Sequence, residues 1–309
     1  MNSQAKLPLE LEQTVFEYAT ESESAILSLS RVAHRVHTWL EPLLYTTLRL
    51  DTRTRVAAFF EHHANPSPSV ASAHQLARHR DSAVAGFLRA CPGIKGLSLI
   101  GDNVSARLLP VLRNLRVERL TINIGELFHT EASPRNDDTE TDKEQEEKSE
   151  PEEESRLLSF AYPLFSSVTH LDINDDFDVE DPEPEELEWL TNLSTLPALT
   201  HLAFSSPPNP EIVGTVLRSC PDIRFLVIPF SAMEAQMASE YAKFVAEDAG
   251  SDGWLVVATY ADYYADWEAG ARGREDVWVR AEKFVAAKKR GEIEKDDYLL
   301  DRASIEGED

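Results

Sequence analysis

The chain is poor in cysteine and in long apolar runs. Only Cys91 and Cys220 occur among its 309 residues, which argues against a disulfide framework and suits a reducing compartment. No apolar run is long enough to span a bilayer, and the N-terminus lacks a basic segment followed by an apolar one. We therefore predict a protein of the cytoplasm or the nucleus.

Basic residues are also scarce, since 30 Lys and Arg face 55 Asp and Glu for a net charge of −25. Three windows, 131–154, 175–188 and 292–309, together carry −24 of this charge. Such a chain should repel nucleic acid and anionic membranes, so we predict neither as a partner. The acidic windows either aid solubility as solvated loops or attract a basic protein.

Catalytic signatures are missing as well: the sequence has no phosphate-binding loop, dinucleotide-binding glycine fingerprint or nucleophile elbow. The stretch 270–275 contains two glycines and is typical of a turn. His170 and His201 could share a metal across neighbouring strands, but no third ligand is evident. Residues 172–183 space their acids like an EF-hand loop, yet Phe177 stands where the sharp turn requires Gly. We predict no catalytic residue, no cofactor and no metal site.

What the chain does contain is a short repeated pattern: an apolar residue, two variable positions, Leu, one variable position and a second apolar residue. A repeat of fixed period predicts a stacked architecture, which usually offers a binding surface. Five copies run through the middle of the chain, and Tyr45/Leu48/Leu50 forms a sixth: Ile94/Leu97/Leu99, Val117/Leu120/Ile122, Val168/Leu171/Ile173, Leu199/Leu202/Phe204 and Ile223/Leu226/Ile228.

The spacing of the copies identifies the type of repeat. Leu97 and Leu120 lie 23 residues apart, within the range of about 20–29 for leucine-rich repeats. The next interval is 51 residues, and removing the 28-residue acidic stretch 129–156 returns it to 23. The interval after that is 31 residues and contains a second acidic stretch, 175–186. We predict an α/β fold with an irregular leucine-rich-repeat solenoid over 45–231, interrupted by these two projecting insertions.

Two helices are expected near the N-terminus. The first covers 7–19 and places Leu11, Val15 and Ala19 on one face, and the second covers 25–45, where Pro42 should end or kink it. They begin with Leu-Pro-x-Glu-Leu at 7–11, continue with Leu-x-Leu-x-Arg-Val at 27–32 and reach Trp39 followed by Leu40. The stretch 5–44 resembles an F-box, and its continuation resembles fungal F-box proteins with leucine-rich repeats. A helical cap that only shields the first repeat is the alternative.

The resemblance implies that this helical module docks on the adaptor subunit of an SCF-type, cullin-based ubiquitin ligase. The chain would then be a non-catalytic substrate-recognition adaptor, with ubiquitin transferred by other subunits. The positions that match the family in the docking module are Leu7, Pro8, Leu11, Val15, Leu27, Leu29, Val32 and Trp39.

Alternating positions of each repeat strand should point to the face opposite the apolar anchors. We expect the polar ones to form a protein-binding face: Arg119, Thr121, Asn123, His170, Asp172, Asn174, His201 and Ser205. The same positions of the last copy, Phe225, Val227 and Pro229, are apolar, so we expect the C-terminal block to cover them. That block, 232–309, is predicted to be a mainly helical cap with a terminal strand near 254–260 and an acidic tail.

A different function is also compatible with the composition. An acidic leucine-rich-repeat protein could bind basic proteins such as histones through 131–154, independently of any ubiquitin ligase. Its binding would weaken steeply with salt.

Overall fold

A computed structural model of the chain describes residues 7–20, 23–44, 80–100, 105–128, 160–175, 190–248 and 254–300. The sixth copy of the repeat, the acidic stretch 129–156, most of the second acidic stretch and the end of the acidic tail lie outside this part. No helix within the described ranges has the length and apolar character needed to cross a lipid bilayer.

Three short helices form the N-terminal unit: α1 (Leu9–Tyr18), α2 (Glu23–Leu29) and α3 (His34–Leu44). Ile26, Val36 and Leu40 are buried together at its centre. The rings of Phe16 and Trp39 pack beside them with their centroids 6.4 Å apart. These apolar contacts hold the three helices together.

The expected single helix over 25–45 is divided in two, because the chain turns at residues 30–33. In one continuous helix, Ile26 and Val36 would lie about 15 Å apart along the axis. The turn brings them into one cluster, so burial of this small core decides against helix continuity. Within the turn, Ser30 donates its hydroxyl to the carbonyl of Ile26 at 2.7 Å.

Within the described residues, seven parallel strands form one sheet in strict chain order, so each of them lies beside its neighbours in sequence. The strands are β1 (Gly96–Leu99), β2 (Arg119–Ile122), β3 (His170–Ile173), β4 (His201–Phe204), β5 (Phe225–Ser231), β6 (Leu255–Tyr260) and β7 (Leu299–Leu300). The prediction of an α/β fold is confirmed at this level.

The register of the sheet aligns the copies of the repeat with one another. The central Leu residues pair from strand to strand in one continuous row: Leu97, Leu120, Leu171, Leu202, Leu226 and Leu255. All six are buried. Equal spacing in sequence therefore becomes equal position in the sheet, because each strand enters the stack at the same point of its repeat.

Five helices contribute to the larger core on the face that carries this Leu row. They are α4 (Arg80–Ala90), α5 (Leu109–Leu112), α6 (Ile124–Phe128), α7 (Pro210–Ser219) and α8 (Ala235–Asp248). Ile212 and Val216 of α7 and Ala238 and Val245 of α8 are all buried in it. Burial of this apolar surface is the main stabilising contribution on this side of the sheet.

The opposite face carries α9 (Tyr263–Ala271) and α10 (Val277–Arg290). Trp278 and Phe284 of α10 are buried in one cluster with Phe225 and Val227 of β5. The expectation that the C-terminal block covers the apolar row of the last copy is met in this arrangement.

The sheet does not end where the repeat pattern ends. β6 is the terminal strand expected near 254–260, whereas β7 was not expected within the mainly helical cap of 232–309. β6 pairs with β5 over six residues, and five of its six residues are buried. A strand covered by helices on both faces has a continuous apolar sequence rather than alternation. The run Leu255–Ala258 therefore lacks the repeat pattern and still belongs to the same sheet.

Candidate functional site

The eight side chains predicted to bind a protein lie on or directly after β2, β3 and β4. Register aligns Arg119 with His170 and His170 with His201, so these three form a row across the sheet. Thr121 and Asp172 pair two positions further along. The other three follow the ends of the same strands: Asn123, Asn174 and Ser205.

The helices α9 and α10 cover this face. Thr121, Asp172 and His201 are buried, and Arg119 and His170 are half-buried. A cavity of about 30 Å³ remains between sheet and helices, with room for one or two water molecules. The expectation that these five side chains face an open surface is therefore wrong, because the C-terminal segment folds back over them. Their binding of a partner protein stays a prediction.

Asp172 lies at the centre of a buried network of hydroxyl groups. Its Oδ1 accepts a hydrogen bond from Ser205 Oγ at 2.8 Å, and its Oδ2 accepts one from Tyr263 Oη, also at 2.8 Å. Tyr263 Oη also lies 3.3 Å from Thr121 Oγ1. Burial raises the pKa of Asp172, and the hydroxyl donors oppose that rise because they stabilise the carboxylate.

Arg119 forms an ion pair with Asp276, which is almost completely buried just before α10. The second carboxylate oxygen of Asp276 accepts the backbone N–H of Val279 at 3.0 Å and so caps α10. Gly270 lies directly against this pair, since a Cβ built on it would be 1.9 Å from Asp276 Oδ2. The glycine allows the close approach, which joins β2 to the end of α9 and the start of α10.

Asp266 of α9 makes a second connection to α10. Its Oδ2 accepts a hydrogen bond from the backbone N–H of Val277 at 2.8 Å, and its Oδ1 accepts one from Arg280 Nη1 at 2.7 Å. The carboxylate thus lies at the positive N-terminal end of α10, where its charge is stabilising. Together with Asp276 it sets the angle at which α9 turns into α10.

The imidazole rings of His170 and His201 stack with their centroids 4.0 Å apart. Trp278 of α10 meets both rings edge-on at 5.4 and 5.6 Å. The pKa of His170 is lowered to about 3, mainly by burial and in addition by the nearby His201 and Arg119. The pKa of His201 is lowered as well, again mainly by burial. Both rings are therefore neutral at pH 7, and His170 is a weak general base there.

The preceding threonine in each copy contacts the ring of its histidine. Thr169 Oγ1 donates to the carbonyl of Glu118 at 2.9 Å, and Thr200 Oγ1 donates to the carbonyl of Thr169 at 3.1 Å. Each hydroxyl also lies within 2.9 Å of Nδ1 of the next residue, His170 or His201. The two threonines thus contact their histidine rings in the same way, and on the other side of its ring His201 Nε2 lies 3.4 Å from Glu282 Oε1.

The residues after the strands have local structural partners. Asn123 Nδ2 donates to the carbonyl of Asn174 at 2.6 Å, which connects the ends of β2 and β3. The carboxylate of Asp175 accepts the backbone N–H groups of Ile124 and Gly125 at 2.6 and 2.7 Å. This part of the predicted face therefore stabilises the strand ends and the start of α6.

The described residues contain no group of three or more His, Cys, Asp or Glu side chains that could hold a metal ion. Residues 172–183 have acids spaced like those of an EF-hand loop, and Asp172 is the first of them. Its carboxylate accepts hydrogen bonds from the hydroxyl groups of Ser205 and Tyr263 inside the protein. Cys91 and Cys220 are both free thiols, and burial raises the pKa of each.

The positions that match the docking module have high exposure in the N-terminal unit. Pro8 is exposed, and Leu29 and Trp39 are half-buried beside the small core. The remaining five are 45–63% exposed: Leu7, Leu11, Val15, Leu27 and Val32. The unit therefore presents most of these apolar side chains at its surface.

The sequence did not indicate that Tyr263, Trp267, Asp276 and Trp278 of the C-terminal block cover the polar part of the sheet face. No repeat pattern marks them, and each contacts a strand far away in sequence. Gly270 was the available signal, because a glycine near the end of a helix can mark a close approach of two segments.

Comparison of the chain with protein-family profiles, with curated proteins and with solved structures found no match.

Proposed function

We propose that this protein is a non-catalytic substrate-recognition adaptor of a cullin-based ubiquitin ligase, acting in the cytoplasm or the nucleus. The helices α1–α3 would dock on the adaptor subunit of the ligase. The parallel strands in chain order would belong to an irregular leucine-rich-repeat solenoid that holds a protein substrate.

The observation that carries this proposal is the distribution of apolar residues in the N-terminal unit. Among the described side chains, its own core consists of Ile26, Val36 and Leu40, with four half-buried neighbours. Leu11 and Val15 lie one turn apart on α1 and are 55% and 59% exposed. Tyr18, three residues further along, is 89% exposed and continues the same stripe. An apolar stripe of this kind on a small helical unit is typical of a protein-docking surface.

The test is a binding titration of the full chain with a purified adaptor subunit of such a ligase. Replacing Leu11 and Val15 with Asp should weaken binding at least tenfold, because each buried aliphatic side chain contributes about 1.5–3 kcal/mol. Gln13→Asp is the matched control, since residue 13 lies about 200° around α1 from Leu11. Its binding should equal that of the unchanged chain.

Two outcomes would contradict the adaptor function. One is absence of any binding between the unchanged chain and the adaptor subunit. The other is equal binding by the Leu11/Val15 variant and the Gln13 control. Circular dichroism of both variants shows whether the helices are retained, a check that the control also needs because Gln13 is half-buried and donates to Glu17 at 2.7 Å.

Binding of basic proteins remains the second candidate, and the net charge of −25 is the observation that favours it. In that case a histone should bind the full chain, and its affinity should fall steeply between 50 and 300 mM NaCl. Replacing the acids of 131–154 with Asn and Gln should remove most of this binding. The Leu11/Val15 variant should then bind the histone like the unchanged chain, which separates the two functions.

A further inference from the structure

The helix α8 carries apolar side chains on two of its sides. On one side, Ala238 and Val245 are buried in the large core. On the other side, Met237 and Phe244 are 56% and 51% exposed, and Met233, one turn before the helix, is 96% exposed. Five large apolar side chains are exposed in the described residues beyond the N-terminal unit, and these are three of them. An exposed apolar side on a helix that is already packed is typical of an interaction surface.

The exposed side chains are spaced like the seam of a coiled coil. Met233 lies in the short 3-10 turn Ala232–Glu234 that leads directly into α8, and Met237 follows it by four residues. Glu240 comes three residues later and Phe244 four residues after that. Steps of four, three and four residues place side chains along one line of a helix, at the alternating core positions of a heptad. These four side chains form the α8 seam.

The α8 seam is held on a fixed helix. Tyr241 of α8 donates its hydroxyl to the carbonyl of Pro208 at 2.7 Å. At the start, Glu234 accepts the backbone N–H of Ser231 at 2.9 Å, and Ser231 Oγ accepts that of Met233 at 3.3 Å, which is a capping box. The seam is already exposed, so no described element has to move before a partner contacts it. Such preorganisation lowers the entropic cost of binding.

Glu240 indicates which kind of helix fits the α8 seam. It is exposed in the middle of the seam, where Gln236 Nε2 donates to its Oε1 at 3.0 Å. Lys243 lies about 60° around α8 from Glu240, so it is beside the seam and not in it. A charged side chain at a core position favours a partner helix with the opposite charge there and disfavours a second acid. A second copy of this chain would bring another Glu240 and another net charge of −25.

We propose that the α8 seam docks a helix of a partner protein that carries apolar residues at heptad spacing and one Lys or Arg among them. The apolar residues of the partner pack against Met237 and Phe244, where the flexible methionine adapts to their shape. The Lys or Arg pairs with Glu240 and sets the register of the two helices. This surface is separate from the apolar stripe of α1, and its proposed role does not depend on the adaptor function.

The probe for this proposal is a labelled synthetic peptide of three heptads, with Leu at its core positions except for Lys at the central one. It is titrated against the full chain by fluorescence anisotropy, and a second peptide has Glu in place of that Lys. The full chain should bind the Lys peptide at least tenfold more tightly than the Glu peptide. Replacing both Met237 and Phe244 with Gln should weaken binding of the Lys peptide at least tenfold, because the apolar contacts are lost. Ala235→Gln is the matched control, since residue 235 is exposed about 160° around α8 from Met237, and it should change the affinity less than twofold.

A charge exchange separates pairing at Glu240 from general attraction to an acidic chain. Glu240→Lys should reverse the preference, so that the Glu peptide binds more tightly than the Lys peptide. Ala235→Lys also adds a lysine to α8, about 140° from Glu240, and should keep the preference for the Lys peptide. The proposal is wrong if the two lysine variants show the same preference. It is also wrong if the Met237/Phe244 variant, folded by circular dichroism, binds the Lys peptide like the unchanged chain.

Two further measurements examine other occupants of the α8 seam. In sedimentation experiments the full chain should be monomeric, and a dimer that the Met237/Phe244 variant no longer forms would overturn the proposal in favour of a second copy. Vesicles of zwitterionic lipid should not bind the chain, and binding that the same variant loses would assign the seam to a membrane surface instead. If the double variant does not fold, the exchange at Glu240 decides alone. The assay contains no adaptor subunit, so a failed adaptor titration and a failed peptide titration are separate results.

Discussion

Asp276 joins three parts of the molecule through four atoms of one side chain. It pairs with Arg119 of β2, caps α10 through the N–H of Val279, and lies against Gly270 at the end of α9. A buried ion pair stabilises a structure only when the rest of its hydrogen-bonding groups are also satisfied. Here the helix cap fulfils that condition for the second carboxylate oxygen.

Gly270→Ala should destabilise the protein through this pair. The new Cβ would lie 1.9 Å from Asp276 Oδ2 and 2.7 Å from Arg119 Nη1, and the short buried carboxylate has two bonds that resist its movement. We expect a loss of about 1–3 kcal/mol in the free energy of unfolding, measured with urea. The gain of about 1 kcal/mol that Ala usually brings within a helix would be exceeded.

Gly93→Ala is the control for that measurement, because a Cβ at residue 93 meets nothing within 4 Å. Its unfolding free energy should change by less than about 0.5 kcal/mol. Equal stability of the Gly270 and Gly93 variants would mean that the Asp276 carboxylate can move aside at no cost.

At the scale of elements, β7 is attached to the sheet by α10 as well as by β6. Lys288 of α10 is buried and donates from Nζ to the carbonyl of Asp297 at 2.6 Å. The same Nζ lies 4.0 Å from the centre of the Tyr298 ring. Burial lowers the pKa of Lys288, although the nearby acids oppose this. The cost of desolvating the charged ammonium group thus exceeds the stabilisation that the nearby carboxylates give it.

Two substitutions at Lys288 should separate the contribution of its ammonium group to stability from that of its aliphatic stem. Lys288→Met keeps the apolar stem between Phe284 and Tyr298 and should change the unfolding free energy by less than about 0.5 kcal/mol. Lys288→Ala removes the stem and should cost about 1–2 kcal/mol, with faster hydrogen exchange at residues 297–300. Lys289→Ala, on the exposed side of α10, serves as the control. If Lys288→Met lowers the unfolding free energy as much as Lys288→Ala does, the contacts of the ammonium group contribute more to stability than the stem.

At the scale of the whole molecule, the buried polar row makes stability depend on pH. The unfolded pKa of His170 is near 6.5 and its folded pKa is about 3. Between these values the unfolded chain binds more protons, so stability falls as pH falls, by at most about 1.4 kcal/mol per pH unit. His201 acts in the same direction, moderated by Glu282. Asp172 acts oppositely, because its raised pKa lets the folded protein take up a proton first.

Urea unfolding at pH 7, 6 and 5 tests this balance. His170→Gln should lose less stability between pH 7 and pH 5 than the unchanged chain, because the buried neutral imidazole is gone. Asp172→Asn should lose more, since the opposing contribution is removed. Parallel pH profiles for all three proteins would show that neither residue controls acid stability.

The repeat made much of the sheet predictable. Leu97, Leu120 and Leu171 could be aligned from spacing alone, because each repeat contributes one strand and equivalent positions must stack. The interruption by 129–156 did not obscure this, since an inserted loop leaves the flanking strands in register. The division of α2 from α3 could not be read from periodicity, because both segments keep an apolar face in either arrangement.

The sequence by itself determined the parallel strand order, the buried Leu row and the apolar stripe of α1, because all three follow from local spacing. Only the tertiary structure decided what covers the opposite face. The pair Arg119–Asp276 joins residues 157 apart, and Tyr263 reaches Asp172 across 91. Contacts over such distances depend on where α9 and α10 dock, and the docking depends on the apolar cluster around Trp278. Local patterns carry no information about that choice, so the face predicted to be open is occupied.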